Sequence, residues 1–107
     1  MMFKITPRAA DQIRQAAKLG GTEGMALRFA AQKKDDGTFD YLMGFDDAKE
    51  EDIQFDTEGV SVVMTPEYYS LLDETTMDFA ELSDGEKQFI FLNPKDRNYS
   101  EKKEQVQ

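Results

Sequence analysis

The chain has 107 residues and contains neither cysteine nor histidine. Their absence excludes disulfides, thiolate nucleophiles, histidine acid–base catalysis and the commonest side-chain ligands of zinc and iron. With 13 Lys and Arg against 22 Asp and Glu, the net charge of −9 disfavours binding to nucleic acids and to anionic lipids.

The length predicts one domain, and no segment carries a targeting or membrane signal. The N-terminal sequence MMFKITPRAA has no apolar stretch of the kind found in a signal peptide. The purely apolar runs are far shorter than a membrane span. We therefore expect a cytoplasmic protein without membrane contact.

The first predicted element is an amphipathic helix over residues 7–19. Thr6 can cap the free amides of the first turn, and Pro7 suits the first helical position because its missing N–H costs nothing there. Apolar residues recur on one face at helical spacing, namely Ala10, Ile13 and Ala17. The pair Gly20-Gly21 ends the helix.

From residue 25 the hydrophobic period changes to two, which indicates strands. Every second residue is apolar in two segments. These residues are Leu27, Phe29 and Ala31 in the first strand, and Phe39, Tyr41, Met43 and Phe45 in the return strand. Asp36-Gly37 between them is a hairpin signal. A second strand pair is predicted around Ile53 and Phe55 and from Val60 to Met64, with a turn at Glu58-Gly59.

Thr65-Pro66 repeats the cap-then-proline start and predicts a short helix, which carries Tyr68, Leu71 and Leu72. Two further strands, around residues 77–79 and 89–92, are joined by a turn at residues 83–86. The pattern predicts an α+β fold in which short strands, in meander order, form a sheet curled on itself. Residues 1–94 form the core domain, and the polar residues 95–107 are expected to be a disordered tail.

Several segments resemble the A-type iron–sulfur carriers, the HesB/IscA-like family. They are ITPRAADQI (5–13), Leu27-Arg28, YLMGFDD (41–47), EEDIQF (50–55), GVSVVM (59–64), LLDETTMDF (71–79) and FIFLNP (89–94). Together they cover nearly the whole chain. The resemblance implies a HesB-like α+β fold, a compact curled mixed β-sheet (half-barrel or sandwich) with two flanking helices.

The resemblance also implies a site built from three cysteines, one in the first hairpin and two in the tail just past Asn93-Pro94. Carried over by position, these cysteines fall at about Asp36, Ser100 and Lys102. Clusters need soft thiolates or histidine, so oxygen at Asp36 or Ser100 is a poor replacement and the Lys102 cation repels iron. We therefore predict that these positions do not ligate a cluster, and we assign no catalytic, metal or cofactor residues.

A narrower resemblance is to the cysteine-free homologues found with dissimilatory sulfite reductase in sulfur-oxidising bacteria. It rests on the missing cysteines, the GGTEGM segment, and the LLDETTMDF and FIFLNP runs. It implies a non-enzymatic accessory or regulatory protein for iron–sulfur protein maturation, within dissimilatory sulfur oxidation. The expected partners are proteins of the iron–sulfur or sulfur-oxidation machinery, and the chain is expected to be a monomer or weak dimer.

The alternative function is an iron donor that holds ferrous iron through surface carboxylates. Residues 35–58 carry ten of them, Asp35, Asp36, Asp40, Asp46, Asp47, Glu50, Glu51, Asp52, Asp56 and Glu58. Their spacing does not fit an EF-hand loop, and charge runs without a motif are usually solvated surfaces. The sequence therefore favours a solvated acidic loop over a cation site.

The remaining candidate residues can have structural as well as functional roles. Asp46 and Asp47 are adjacent on an extended chain and should point to opposite faces. Asp73 and Asp78 are expected to hold turns and backbone, and Ser100 with Lys102 lacks the rigid frame that a nucleophile pair needs. Arg28 could pair with a nearby acid or contact a partner. One of Tyr68 and Tyr69 should be exposed, where it could serve an interface.

Overall fold

The computed structural model describes residues 2–97. The helices are α1 (Pro7–Gly20) and α2 (Tyr69–Leu72), and a 3-10 turn, Pro66–Tyr68, leads into α2. The strands are β1 (Lys4–Ile5), β2 (Ala26–Lys33), β3 (Phe39–Asp46), β4 (Ile53–Thr57), β5 (Val60–Met64), β6 (Thr76–Glu81) and β7 (Lys87–Leu92). No helix within these residues is both long enough and apolar enough to span a membrane.

The strands form two mixed sheets, with strand orders β1-β6-β7 and β3-β2-β5-β4. The predicted α+β class and the three hairpins β2–β3, β4–β5 and β6–β7 are confirmed. The predicted meander order is wrong, because β2 pairs in parallel with β5 and β1 pairs in parallel with β6. Parallel neighbours are distant along the chain, so local alternation of residues cannot reveal them.

Helix α1 begins at Pro7 as predicted and ends at Gly20, one residue beyond the predicted end. The Thr6 hydroxyl accepts the Ala9 N–H at 3.3 Å, and Gly21 adopts the left-handed conformation, with φ of 71°, that closes the last turn. Thr65 does not repeat this cap with its side chain. Its backbone carbonyl instead accepts the Tyr68 N–H, because the chain there forms a tight 3-10 turn.

The core lies between the sheets and is dominated by aromatic rings. Phe29, fully buried on β2, contacts Phe3 at 4.8 Å and Phe91 at 6.0 Å between ring centroids. Phe91 also stacks on Tyr41 of β3 at 4.4 Å. These rings join the N-terminal segment, β2, β3 and β7 into one apolar cluster, as the period-two pattern predicted.

Asp78 on β6 fixes the start of α1. Its Oδ1 accepts the Thr6 hydroxyl at 2.6 Å, and both carboxylate oxygens accept the Arg8 guanidinium at 2.7 and 2.6 Å. The Arg8 contact holds the pKa of Asp78 well below its usual range, and the Thr6 and Phe79 hydrogen bonds add to the effect. Asp78 also accepts the Phe79 N–H, so it holds backbone as expected.

Replacing Asp78 with alanine should lower the free energy of unfolding by about 2 kcal/mol, because the substitution removes charge-assisted hydrogen bonds to the first turn of α1. Urea unfolding followed by circular dichroism measures the change. Arg8→Ala is the matched control, and its effect should be smaller since its side chain is 63% exposed. Equal stability of Asp78→Ala and the unaltered chain would contradict this role.

Candidate functional site

The tip of the β2–β3 hairpin is the region to which the sequence assigned the first cysteine position. Asp36 Oδ1 accepts the Thr38 N–H at 3.0 Å and the Thr38 hydroxyl at 2.6 Å. These contacts, the hydroxyl first, lower the pKa of Asp36. Gly37 follows with φ of 87°, a conformation that favours glycine. Asp36 is therefore a turn-forming residue whose carboxylate is directed at its own loop.

The chain that follows β7 returns to this hairpin tip. The Arg97 N–H donates to the Gly37 carbonyl at 3.1 Å, and Arg97 Nη1 donates to the Asp36 carbonyl at 3.0 Å. The structure thus brings Asp36 next to the segment that leads toward Ser100 and Lys102. Those two positions lie outside the described residues.

A buried carboxylate, Asp96, fastens this segment to the hairpin. Only 4% of Asp96 is exposed, and its two oxygens accept the Phe39 N–H at 3.3 Å and the Tyr41 hydroxyl at 2.8 Å. Burial, reinforced by the hydrogen bond to Asp96, raises the pKa of Tyr41. Asp96 and Arg97 are therefore held against the hairpin, beyond the predicted end of the core domain at residue 94.

Asn93 fixes the turn that redirects the chain toward the hairpin. This buried side chain donates from Nδ2 to the Leu71 carbonyl at 2.8 Å and accepts the Lys95 N–H at Oδ1. Lys95 Nζ in turn donates to the carbonyl of Asp73, whose own carboxylate accepts the Met2 N–H. The sequence signal for this arrangement was the Asn93-Pro94 turn pair, but the ordered contacts beyond it were missed.

Arg28 organises much of the acidic segment. Its Nε donates to Asp46 at 2.7 Å, and its Nη1 and Nη2 donate to the two carboxylate oxygens of Asp52 at 2.9 and 2.6 Å. The Asp52 side chain is only 1% exposed. Arg28 therefore pairs with acids, one of the two roles the sequence left open.

Asp46 and Asp47 do not converge, as predicted from their spacing. Arg28 donates to the side-chain carboxylate of Asp46 but to the backbone carbonyl of Asp47, the latter at 3.1 Å. Further along, Asp56 accepts the Ser61 hydroxyl at 3.0 Å. Within residues 2–97, no group of three acidic side chains is arranged so that it could hold a metal ion.

Tyr68 and Tyr69 divide between the core and the surface, as their adjacent positions predicted. Tyr68 packs against the apolar core, and Tyr69 is exposed. Their arrangement follows from their consecutive places at the junction of the 3-10 turn and α2, which direct the two rings to different sides.

Comparisons with known proteins identify the family of the chain. A family model described as "Iron-sulphur cluster biosynthesis" matches residues 1–102. A protein of Aquifex aeolicus is 33% identical over 79 residues, which cover 73% of this chain and 68% of that protein.

Solved structures are also similar. The crystal structure of IscA with the [2Fe-2S] cluster has a TM-score of 0.72 at 26% identity and covers 87% of this chain and 86% of its own. Escherichia coli SufA, involved in biosynthesis of iron–sulfur clusters, has a TM-score of 0.69 at 24% identity, covering 90% and 83%, and supports the fold alone. The solution structure of an Aquifex aeolicus protein has a TM-score of 0.66 at 30% identity, covering 88% and 93%.

Replacing Asp96 with alanine should lower the free energy of unfolding by about 2 to 3 kcal/mol, since it leaves the Phe39 N–H and the Tyr41 hydroxyl without their buried acceptor. Tyr41→Phe removes one of those bonds and should cost about 1 kcal/mol. In the double variant the Tyr41→Phe effect should shrink, because its partner is already gone. Strict additivity in urea unfolding would argue against the contact.

Stability should fall in acid partly through Asp52. The Arg28 guanidinium lowers the pKa of Asp52 to about 2, below that of the unfolded chain at about 4. The ion pair therefore stabilises the fold above about pH 4 and loses its effect as the pH falls toward 2. Thermal unfolding between pH 2 and 7 should show a shallower pH dependence in Asp52→Asn. Asp47→Asn is the control, because Asp47 contacts Arg28 through backbone, and it should follow the unaltered chain.

Proposed function

Because the chain belongs to the iron–sulphur cluster biosynthesis family, we propose that it is a cysteine-free accessory protein of iron–sulfur protein maturation. In this proposal it is not an enzyme, and it retains the carrier fold while lacking the cluster site. It would act through binding to proteins of the iron–sulfur or sulfur-oxidation machinery, as a monomer or weak dimer in the cytoplasm.

The observation that carries the proposal is the chemistry of the hairpin tip. The groups gathered there are the Asp36 carboxylate, backbone carbonyls and the Arg97 guanidinium. The Asp36 carboxylate is engaged by Thr38, and a guanidinium opposes a cationic metal centre. The whole sequence holds no cysteine or histidine. This donor set does not fit an iron–sulfur cluster, which is held by thiolates with histidine as the usual substitute.

Dissimilatory sulfur oxidation is the setting that we propose for this accessory role. Its support is the narrower sequence resemblance, which combines the missing cysteines with the GGTEGM, LLDETTMDF and FIFLNP segments. A partner enzyme that contains both iron–sulfur and sirohaem groups would then be the protein whose maturation it assists.

The alternative, a ferrous-iron donor, has less support from the carboxylates themselves. Asp46 and Asp52 share the single guanidinium of Arg28, and Asp56 accepts the Ser61 hydroxyl. Side chains that already accept short hydrogen bonds would have to exchange them for the metal. Calorimetry with ferrous iron at physiological ionic strength would revive this alternative if it gave stoichiometric, salt-resistant binding.

Anaerobic reconstitution with ferrous iron and sulfide tests the main proposal. The unaltered chain should show no visible cluster absorbance after desalting. The variant Asp36→Cys with Ser100→Cys and Lys102→Cys should gain some absorbance, because thiolates return to the positions that the family uses.

A matched control places three cysteines at exposed, scattered positions, Lys18→Cys, Glu67→Cys and Glu86→Cys. This control should stay colourless, which separates restoration of a site from adventitious binding by thiols. A stoichiometric cluster on the unaltered chain would overturn the proposal. A colourless site variant would show that the three positions are wrongly assigned.

A further inference from the structure

Within residues 2–97, strand β3 is an open edge of the four-stranded sheet and pairs with β2 alone. The Lys34 N–H donates to the Thr38 carbonyl, and pairing then continues without a break from Lys33–Phe39 to Ala26–Asp46. Alternation in an antiparallel ladder therefore directs the backbone groups of Tyr41, Met43 and Phe45 away from β2. Within residues 2–97 these outward groups have no hydrogen-bond partner, whereas Asp96 covers the outward N–H of Phe39.

The middle of this edge lacks the features that normally protect an exposed strand. The eight residues of β3 contain no proline and no lysine, and the register has no bulge. Leu42 is 71% exposed and Met43 is 37% exposed, although both are large apolar residues. Charged residues occur only toward the two ends of the strand, at Asp40 and Asp46.

Beside the edge, the outer face of the sheet has a shallow depression of about 250 Å³, lined by residues that include Arg28, Ala30, Leu42 and Gly44. A Cβ atom built on Gly44 would meet no atom within 4 Å, so the face of the sheet is open at this glycine. An extended chain paired with β3 would direct alternate side chains onto this face. The side chain opposite Gly44 could then fill the depression.

Charge distinguishes the possible occupants of the edge. In the symmetric antiparallel pairing of two copies, centred on Met43, each Asp40 lies opposite an Asp46, and like charges directly opposite are destabilising. The net charge of −9 adds to the repulsion between copies.

Asp40 and Asp46 lie on the same face of β3 and about 20 Å apart. That spacing matches a segment whose two basic residues are six positions apart. Both aspartates already contact a basic residue of this chain, but each carboxylate stays partly exposed and incompletely compensated. Asp46 shares Arg28 with Asp52, and Asp40 is 3.7 Å from Lys34.

We propose that the edge of β3 binds, by strand addition, an extended segment of a partner protein with apolar residues between two basic residues six positions apart. This inference specifies the proposed accessory role and rests on it, because that role requires the partner to be a protein. Main-chain hydrogen bonds to Tyr41, Met43 and Phe45 supply the affinity, and the Gly44 depression and the two aspartates supply the selectivity.

The probe is a capped, dye-labelled peptide, Lys-Thr-Ile-Val-Val-Thr-Lys, which places isoleucine opposite Gly44 in antiparallel pairing. Fluorescence anisotropy should show saturable binding, and the amide NMR signals of Tyr41, Met43 and Phe45 should shift most. The same peptide with both lysines replaced by glutamate should bind at least tenfold more weakly. No cluster is needed, so the result is independent of the reconstitution experiment.

Two variants at one position separate backbone pairing from side-chain contact. Met43→Pro removes an outward N–H but no bond to β2, and proline is tolerated on edge strands, so binding should weaken at least tenfold while the fold persists. Met43→Ala keeps the N–H, and its affinity should stay within about threefold. Thermal unfolding of both variants verifies the fold.

A charge reversal keeps the proposal testable if Met43→Pro does not fold. Asp40→Lys alters an exposed residue whose salt bridge to Lys34 is long, at 3.7 Å. It should weaken the lysine peptide and strengthen the glutamate peptide, each about tenfold. Unchanged preference in this variant would overturn the assigned charge pattern.

Three other outcomes would overturn the proposal. The first is the absence of binding at millimolar peptide, and the second is amide shifts confined to other strands. The third is an edge already occupied, either by a second copy or by this chain's own residues 98–107. Sedimentation equilibrium detects the second copy as a dimer that Met43→Pro dissociates. Truncation after Arg97 detects the chain's own segment, because hydrogen exchange at Tyr41, Met43 and Phe45 would then accelerate.

Discussion

The contact between aromatic rings at Phe29 is the constraint on which the rest of the structure depends. Within residues 2–97 the two sheets share no hydrogen-bonded strand, so packing of side chains and a few side-chain hydrogen bonds, such as that from the Ile5 N–H to the Thr57 hydroxyl, hold them together. Phe29 joins Phe3 on one side and Phe91 on the other, and Phe91 continues to Tyr41. The hairpin tip keeps its place relative to β7 because this chain of rings fixes β2 and β3 against it.

Local elements could be predicted from the sequence because their causes are local. The Thr6 cap, the Asp36-Gly37 turn and the period-two strands each depend on residues a few positions apart. The β1–β6 pairing could not be predicted, since two residues at Lys4–Ile5 carry no periodicity and their partners lie more than seventy positions away. The parallel pairing of β2 with β5 could not be predicted either, because the two strands are far apart in the sequence.

The sequence indicated the region of the candidate site but not the contacts that its residues make. The resemblance placed Asp36 and the segment beyond Asn93-Pro94 in one region, and the Arg97 contacts join them. Asp96 was assigned to a polar tail because an isolated aspartate after a turn has no apolar neighbours in the sequence to indicate burial. Its burial becomes evident only when β3 supplies an N–H and a hydroxyl from more than fifty residues earlier.

The connection between Thr6 and Asp78 has a consequence for how the chain folds. The start of α1 is among the first parts of the chain to be synthesised, yet its capping hydroxyl and Arg8 find their acceptor 70 to 72 residues later. Strand β1 (Lys4–Ile5) likewise joins a sheet only by pairing with β6, which is synthesised much later. Contacts of this separation carry a loop-closure entropy that must be overcome before they contribute, which slows folding. On a ribosome, the N-terminal segment therefore cannot complete its native contacts until β6 has left the exit tunnel, when most of the domain is already outside.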